Sequence, residues 1–245
     1  MFPLIRGWTD VQRSPEANLR LGLVLTFVAG ATNAGGFLAV GSYTSHMTGI
    51  VSSVADDLVL GNMTLALAGV VCLMAFMAGA MCTAMLVNWG LRQRLHSSYS
   101  LPLLLESVAL LVFGLFGAAI AAWSQVFVPI TVVLLCFIMG LQNAVITKIS
   151  KAEIRTTHIT GLVTDLGIEL GKLFYMNRSH LTQPVLANRQ RLRVQASLVL
   201  GFLVGGLVGA LGFKHGGYIT TLPLAALLWI LCLRPLLSDL RSHAT

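Results

Sequence analysis

Residues 30–49 read GATNAGGFLAVGSYTSHMTG, and residues 140–161 read GLQNAVITKISKAEIRTTHITG. Each stretch opens with a Gly-x-x-Asn-Ala segment and closes with Ser or Thr followed by His-x-Thr-Gly. Two copies of one uncommon pattern indicate that the chain arose by duplication and has two equivalent halves. In a membrane protein, glycine-interrupted polar segments at matching positions of two halves indicate a solute site where the halves meet.

The composition places the chain in a lipid bilayer. Apolar residues make up 56% of the sequence, charged residues make up only 10%, and the mean hydropathy is +0.82. In soluble domains about a quarter of the residues are charged. At about 20 residues per span, the 245 residues form one membrane domain, 1–245, and leave no extramembrane domain. The lipid bilayer is therefore a predicted partner.

The net charge of +7 does not predict a nucleic-acid partner. The basic residues stand singly or in small groups beside apolar runs, without interleaved aromatic residues. The four cysteines lie inside apolar stretches without Cys-x-x-Cys spacing, so we expect buried thiols rather than a disulfide framework or a metal site. No cofactor is predicted.

Six charge-poor stretches are long enough to cross a bilayer as helices. A closed barrel, the only other spanning structure, needs alternating polarity, which these stretches lack. They divide into repeat 1, at about 19–123, and repeat 2, at about 127–238, and an identical Leu-Pro-Leu opens the last span of each repeat. The predicted spans are Leu21 to Gly41, Met63 to Trp89, Leu101 to Trp123, Phe127 to Ile146, Val194 to Phe213, and Tyr218 to Cys232.

Two shorter segments, 46–62 and 158–175, either cross the bilayer or dip into it and return. With six crossings, nearly all basic residues face the cytoplasm, as the positive-inside rule requires, whereas eight crossings leave one basic group on the wrong side. Six crossings are therefore favoured, and three spans per repeat invert repeat 2 relative to repeat 1. The cytoplasmic basic residues are then Arg6, Arg13, Arg20, Arg92, Arg94, Lys148, Lys151, Arg155, Lys172, Arg178, Arg189, Arg191, Arg193, Arg234 and Arg241.

The expected fold is thus an all-α integral membrane protein of a bacterial cytoplasmic membrane. It has six transmembrane helices in two inverted three-helix repeats, each with a short broken or re-entrant helix. Both termini are expected to be cytoplasmic.

Both short segments are predicted to be helices that start abruptly, because Ser45 and Thr157 are typical N-cap residues. The first amides of such a helix lack partners, and near mid-bilayer they and the positive end of the helix dipole suit an anionic or carbonyl group. Asn33 and Asn143 either line this site or hydrogen-bond between helices. The candidate binding residues are Asn33, Ser45, His46, Thr48 and Gly49 in repeat 1 and Asn143, Thr157, His158, Thr160 and Gly161 in repeat 2.

The two histidines are the strongest candidates, since an ionisable residue inside a bilayer indicates a site and here it recurs in register. His46 and Asp57 are eleven residues apart, and His158 and Glu169 repeat that spacing. A histidine and an acid then share one helix face about 16 Å apart, which argues against a catalytic dyad.

Four acids are candidates for proton or ion coupling: Asp57, Asp165, Glu169 and, in the third span, Glu106. The alternative for the first three is a solvated position near the end of a short helix. The alternative for Glu106 is a side chain that snorkels to the interface.

The glycine-rich first span with its Ser-His-Met-Thr-Gly motif at 45–49, the GLQNA segment at 140–144 and the second motif at 157–161 resemble the YoaK-like family of bacterial multi-pass membrane proteins. The resemblance extends over nearly the whole chain. It implies a membrane protein of a family without an established activity, described at best as transport-like.

These observations predict a transporter or channel for a small polar or anionic solute, which binds at the repeat interface where the starts of the two short helices converge. The protein is expected not to be an enzyme and to be able to pair as a homo-oligomer. One alternative is a membrane-embedded enzyme, for example a metal-dependent one, that uses both histidines with Asp165, although the sequence has neither His-Glu-x-x-His nor Gly-x-Ser-x-Gly. Another alternative is a structural membrane protein whose Gly and Thr motifs only pack helices together.

Overall fold

The computed structural model describes residues 14–122, 124–150, 157–177 and 183–242. In these residues the protein is all-α, with six long helices and two short ones, and a 3-10 turn at Gly217–Thr220 joins the last two helices. The helices are α1 (Pro15–Val40), α2 (Met47–Val59), α3 (Met63–Arg92), α4 (Ser100–Ala122), α5 (Ser124–Ile149), α6 (Ile159–Phe174), α7 (Arg189–Gly216) and α8 (Thr221–Ser242).

Each predicted span overlaps one long helix, although the last, Tyr218 to Cys232, begins in the 3-10 turn and stops ten residues before the end of α8; the two predicted short segments correspond to α2 and α6. Five stretches of the described chain are long and apolar enough to cross a membrane, and the last of them, Arg189–Arg241, contains both α7 and α8. The predicted all-α membrane fold is confirmed at this level, whereas six crossings and inverted repeats remain predictions. Several residues used for these predictions lie outside the described ones, namely Arg6, Arg13, Trp123, Lys151, Arg155 and Arg178.

Local sequence accounts for both ends of α1. The Ser14 hydroxyl accepts a hydrogen bond from the Ala17 amide at 3.2 Å, and Pro15 occupies the first helical turn, where its missing amide hydrogen costs nothing. Gly41 ends the helix with a left-handed φ of 72°, and its amide donates to the Phe37 carbonyl at 2.8 Å. The chain therefore leaves α1 immediately before the first His-x-Thr-Gly motif.

Two helix pairs, α1 with α7 and α3 with α5, cross so closely that glycine faces backbone. Four glycines, two in each pair, lie at these crossings. A Cβ at any of them would overlap a carbonyl of the facing helix, so only glycine permits this approach. The contacts of one pair repeat those of the other: Gly30 meets Phe202 and Gly205 meets Phe27, while Gly140 meets Phe76 and Gly79 meets Phe137.

The order of contacts gives the direction of each helix. α1 and α7 run parallel, because Phe27 lies against Gly205 and, one turn later, Ala31 lies against Gly209. α1 and α5 run antiparallel, since the Gln142 side chain donates to the Leu25 carbonyl at 3.1 Å whereas Gly36 lies beside Leu135.

α4 and α8 also run antiparallel. Near the start of α4 the Ser100 carbonyl accepts from the Cys232 thiol at 3.3 Å, and further along α4 the Ser107 hydroxyl donates to the Ala225 carbonyl at 2.7 Å. The apolar core lies among these long helices and includes Leu25, Leu110, Phe113, Ile138, Val145 and Leu228.

Candidate functional site

The short helices α2 and α6 start one residue later than predicted. Their N-caps are His46 and His158, and neither helix has a side-chain cap, so the prediction that Ser45 and Thr157 cap them is wrong. Ser45 is occupied elsewhere, because its hydroxyl donates to the Asn33 Oδ1 at 2.8 Å and its amide donates to the same oxygen at 3.3 Å. These bonds tie the loop before α2 to the end of α1.

The two equivalent asparagines have different surroundings. Asn33 is buried and its side-chain oxygen accepts from Ser45. The Asn143 Oδ1 is also buried, but it has no hydrogen-bond partner in the described part of the chain. Thr157, the counterpart of Ser45, therefore does not donate to it. Equivalent residues of the two halves therefore do not make equivalent contacts.

Each motif glycine makes room for the histidine that precedes it. A Cβ at Gly49 would overlap the His46 ring, and a Cβ at Gly161 would overlap the His158 ring in the same way. The imidazole folds back over the first turn of its own helix in both copies. This role of the glycines is not evident from the sequence, where they were assigned only as amide donors.

The starts of both short helices retain free donors. Among the described residues, the amides of Thr48, Gly49, Thr160 and Gly161 have no acceptor outside their own helices, and these first-turn amides lie before the first intrahelical bonds. The helix dipole adds partial positive charge at the same points. Both N-cap residues, His46 and His158, are exposed at the protein surface. The arrangement suits an acceptor such as an anion, a carbonyl or water.

A first cavity of about 750 Å³ adjoins the start of α2. It lies between the end of α1, α2, the first third of α3 and α5, and its rim includes the stacked rings of Phe37 and Tyr43, whose centroids are 4.4 Å apart. Among its lining residues are His46, Gly49, Ser53, Asp57, Cys72 and Cys136.

The position of this cavity along α3 follows from how α2 packs. Ile50 and Val54 lie against Gly69, so His46, one turn earlier, is level with Cys72. Cys72 is about 14 Å along α3 from Met63, at 1.5 Å per residue. The start of α2 is therefore level with a point about a third of the way along α3 rather than with the end of that helix.

In repeat 2, α6 packs on α7 through polar side chains. Asp165 accepts from Arg191 at 3.2 Å and from Gln195 at 3.0 Å. Glu169 is buried and accepts from Lys172 and from the Asn188 amide, both at 2.8 Å. The Lys172 ammonium and then the Asn188 amide hold the pKa of Glu169 below its usual value.

A second cavity, of about 710 Å³, lies at this polar interface and occupies positions that match the first. Where α3 presents Leu65 and Gly69 to the first cavity, α7 presents Arg191 and Gln195 to the second. On the short helices, Ser53 is matched by Asp165. The duplicated cavity is thus mainly apolar in one half and charged in the other, which the sequence-based assignment of sites missed.

Glu106 lies away from both short helices. It is on α4, which packs against α8 and α5, and only 1% of its surface is exposed. Neither carboxylate oxygen has a partner among the described residues. Its side chain therefore does not snorkel to the interface.

The structure does not bring the two motifs to one point. α2 packs on α3 and α6 packs on α7, and the principal helix contacts of the described chain include none between α2 and α6. The described residues also contain no group of three or more His, Cys, Asp and Glu side chains that could hold a metal ion. His46, His158 and Asp165 therefore do not form the cluster that the alternative enzyme needs.

Comparison with known proteins gives a family. The family model described as "Protein of unknown function (DUF1275)" matches residues 21–233, which is most of the chain. A search of curated proteins and a search of solved structures each found no match.

Proposed function

Because the chain belongs to the DUF1275 family, whose description names no activity, we propose from the geometry that it is a membrane transporter or channel for a small polar or anionic solute. The observation that carries this proposal is the start of α2, which has uncapped amides beside the first cavity; α6 starts in the same uncapped way.

The proposed architecture has six crossings in two inverted repeats, with α2 and α6 dipping in from opposite faces. Two observations support it. α1 and its counterpart α5 run antiparallel, as inversion requires and as eight crossings would not allow. α2 has 13 residues and α6 has 16, which give lengths of about 20 and 24 Å, short of the roughly 30 Å apolar core of a bilayer.

In this architecture the solute meets two related sites rather than one. If α3 begins near one surface of the bilayer, the start of α2 is close to mid-depth, and the start of α6 is at the matching depth from the other surface. Amides near Thr48 and Gly49 bind the solute in one half, and those near Thr160 and Gly161 bind it in the other. His46 and His158 supply hydrogen bonds or exchange protons during transport.

Further parts of the proposal concern coupling, location and partners. Asp57, Asp165, Glu169 and Glu106 are proposed coupling groups, and Glu106 and Glu169 are the buried ones among them. The protein lies in the bacterial cytoplasmic membrane with both termini inside, acts on a solute without catalysing a reaction, and contacts lipid and a second copy of itself rather than nucleic acid.

A flux screen in proteoliposomes tests the function directly. The purified full chain is expected to pass at least one small anion or polar solute, and a His46→Ala, His158→Ala double variant is expected to pass it more slowly. His215→Ala, which removes an exposed histidine near the end of α7, is the matched control. Flux that equals that of empty liposomes for every solute tested would overturn the proposal, and unchanged flux in the double variant would remove the histidines from it.

A further inference from the structure

The first cavity contains a pair of thiols that the solute pathway does not use. Cys72 on α3 and Cys136 on α5 both line it, each one helical turn before the point where Phe76 of α3 meets Gly140 of α5. Cys136 is fully buried, and Cys72 is 8% exposed. Both are free thiols.

The helix crossing places these two cysteines near each other. α3 and α5 run parallel and are closest where Phe76 meets Gly140, and each cysteine lies one helical turn before that point on its own helix. The close glycine crossing therefore holds the backbones of the two cysteines near each other, and both thiols face the same cavity.

The donor set restricts which ligand can bind. No third His, Cys, Asp or Glu side chain approaches closely enough to make a three-ligand group in the described part of the chain. Zn²⁺ in structural sites takes four ligands, and even catalytic zinc takes three from the protein. Soft thiolate ligands select Cu(I), Zn²⁺ and Fe–S clusters, and since Fe–S clusters also take four ligands, two sulfurs alone favour Cu(I).

We infer that Cys72 and Cys136 form a two-sulfur site for a soft monovalent d¹⁰ cation, Cu⁺ or its analogue Ag⁺, at the wall of the first cavity. Each sulfur binds as a thiolate. One cation therefore displaces two thiol protons, which leave to water in the cavity, and neither sulfur nor metal changes oxidation state. The site does not depend on the transport proposal.

The test uses Ag⁺, which is stable in air, with the full chain in detergent micelles and chloride-free buffer. The Cys82→Ser, Cys232→Ser double variant keeps only the proposed pair. We expect it to retain one Ag⁺ per chain after desalting. Adding Cys72→Ser or Cys136→Ser should weaken binding by at least about tenfold, since even outer contacts of metal ligands are worth that much.

Two outcomes overturn the inference. The first is two Ag⁺ per chain in the pair-only variant, because that stoichiometry means independent single-thiol binding. The second is undiminished binding after loss of either Cys72 or Cys136. Excess Zn²⁺ is expected not to displace Ag⁺.

Discussion

Asn33 and Asn143 occupy equivalent positions, but only Asn33 fixes the loop before a short helix through its side-chain oxygen. Asn33→Ala removes an acceptor used by two Ser45 donors, and we expect it to lower the free energy of unfolding by about 1–2 kcal/mol. Asn143→Ala is the matched control and should cost less, because its Oδ1 has no partner in the described residues. Thermal unfolding of both variants in one detergent checks this, and equal losses would contradict it.

Gly161 gives a second prediction for a single residue, with Gly167 on the same helix as its control. A Cβ at Gly167 meets nothing within 4 Å, so Gly167→Ala should stabilise α6 by up to about 1 kcal/mol through helix propensity. Gly161→Ala should lose that gain and destabilise by about 1 kcal/mol, since the His158 ring must move. Chemical unfolding of both variants measures the difference, and an equal gain would show that the ring moves freely.

The sequence identified the polar residues of the two motifs as candidates, but it did not predict the hydrogen-bond partners that they have in the structure. Ser45 is a good N-cap by type, yet the nearby Asn33 oxygen competes for its hydroxyl and leaves the cap position to His46. Such competition depends on how the chain returns after Gly41, which local preference does not specify. Cys72 and Cys136 were expected to be buried thiols without a metal site, because their spacing along the chain gives no sign that they lie near each other.

Two glycines of α7 are predicted to respond differently to substitution, because only one of them lies at the close crossing with α1. Gly205→Ala places a Cβ against the Phe27 carbonyl, whereas Gly201→Ala finds its nearest neighbours at 3.8 Å, an ordinary contact. We expect Gly205→Ala to destabilise by about 1–3 kcal/mol, as overpacking does, and Gly201→Ala to be nearly neutral. Tm values compared under one set of conditions decide this; similar values would mean that the crossing adjusts at no cost.

The approximate bounds of the long helices were predictable because a bilayer requires long apolar helices. The two short helices were predictable from their motifs and from the polar residues that follow the apolar runs. The packing partners of the short helices were not predictable. Asp165 and Glu169 reach Arg191 and Asn188 on α7, contacts between residues far apart in sequence. The expectation that α2 and α6 converge assumed that equivalent elements meet at the symmetry axis, whereas in the structure each packs beside the following long helix of its own repeat.

For the whole molecule, duplication gives two frameworks whose helix crossings agree closely while their cavities differ. Glycine crossings have little freedom to change, because any side chain there collides with backbone. Cavity walls are free to diverge, as Leu65 and Arg191 show at matched positions. In the proposed inverted architecture, the two cavities would therefore present chemically different entrances to the two sides of the membrane.

The inversion itself is tested by the sides on which two loops lie. Leu60 follows α2 and Leu186 precedes α7, and both are strongly exposed. In a variant whose four cysteines are serine, a membrane-impermeant maleimide should label Leu60→Cys in intact cells and Leu186→Cys only after permeabilisation. Six crossings place these positions on opposite faces, whereas eight crossings place them on the same face. Labelling of both from one side would therefore rule out inverted repeats with dipping helices, and labelling of Leu186→Cys after permeabilisation controls for its reactivity.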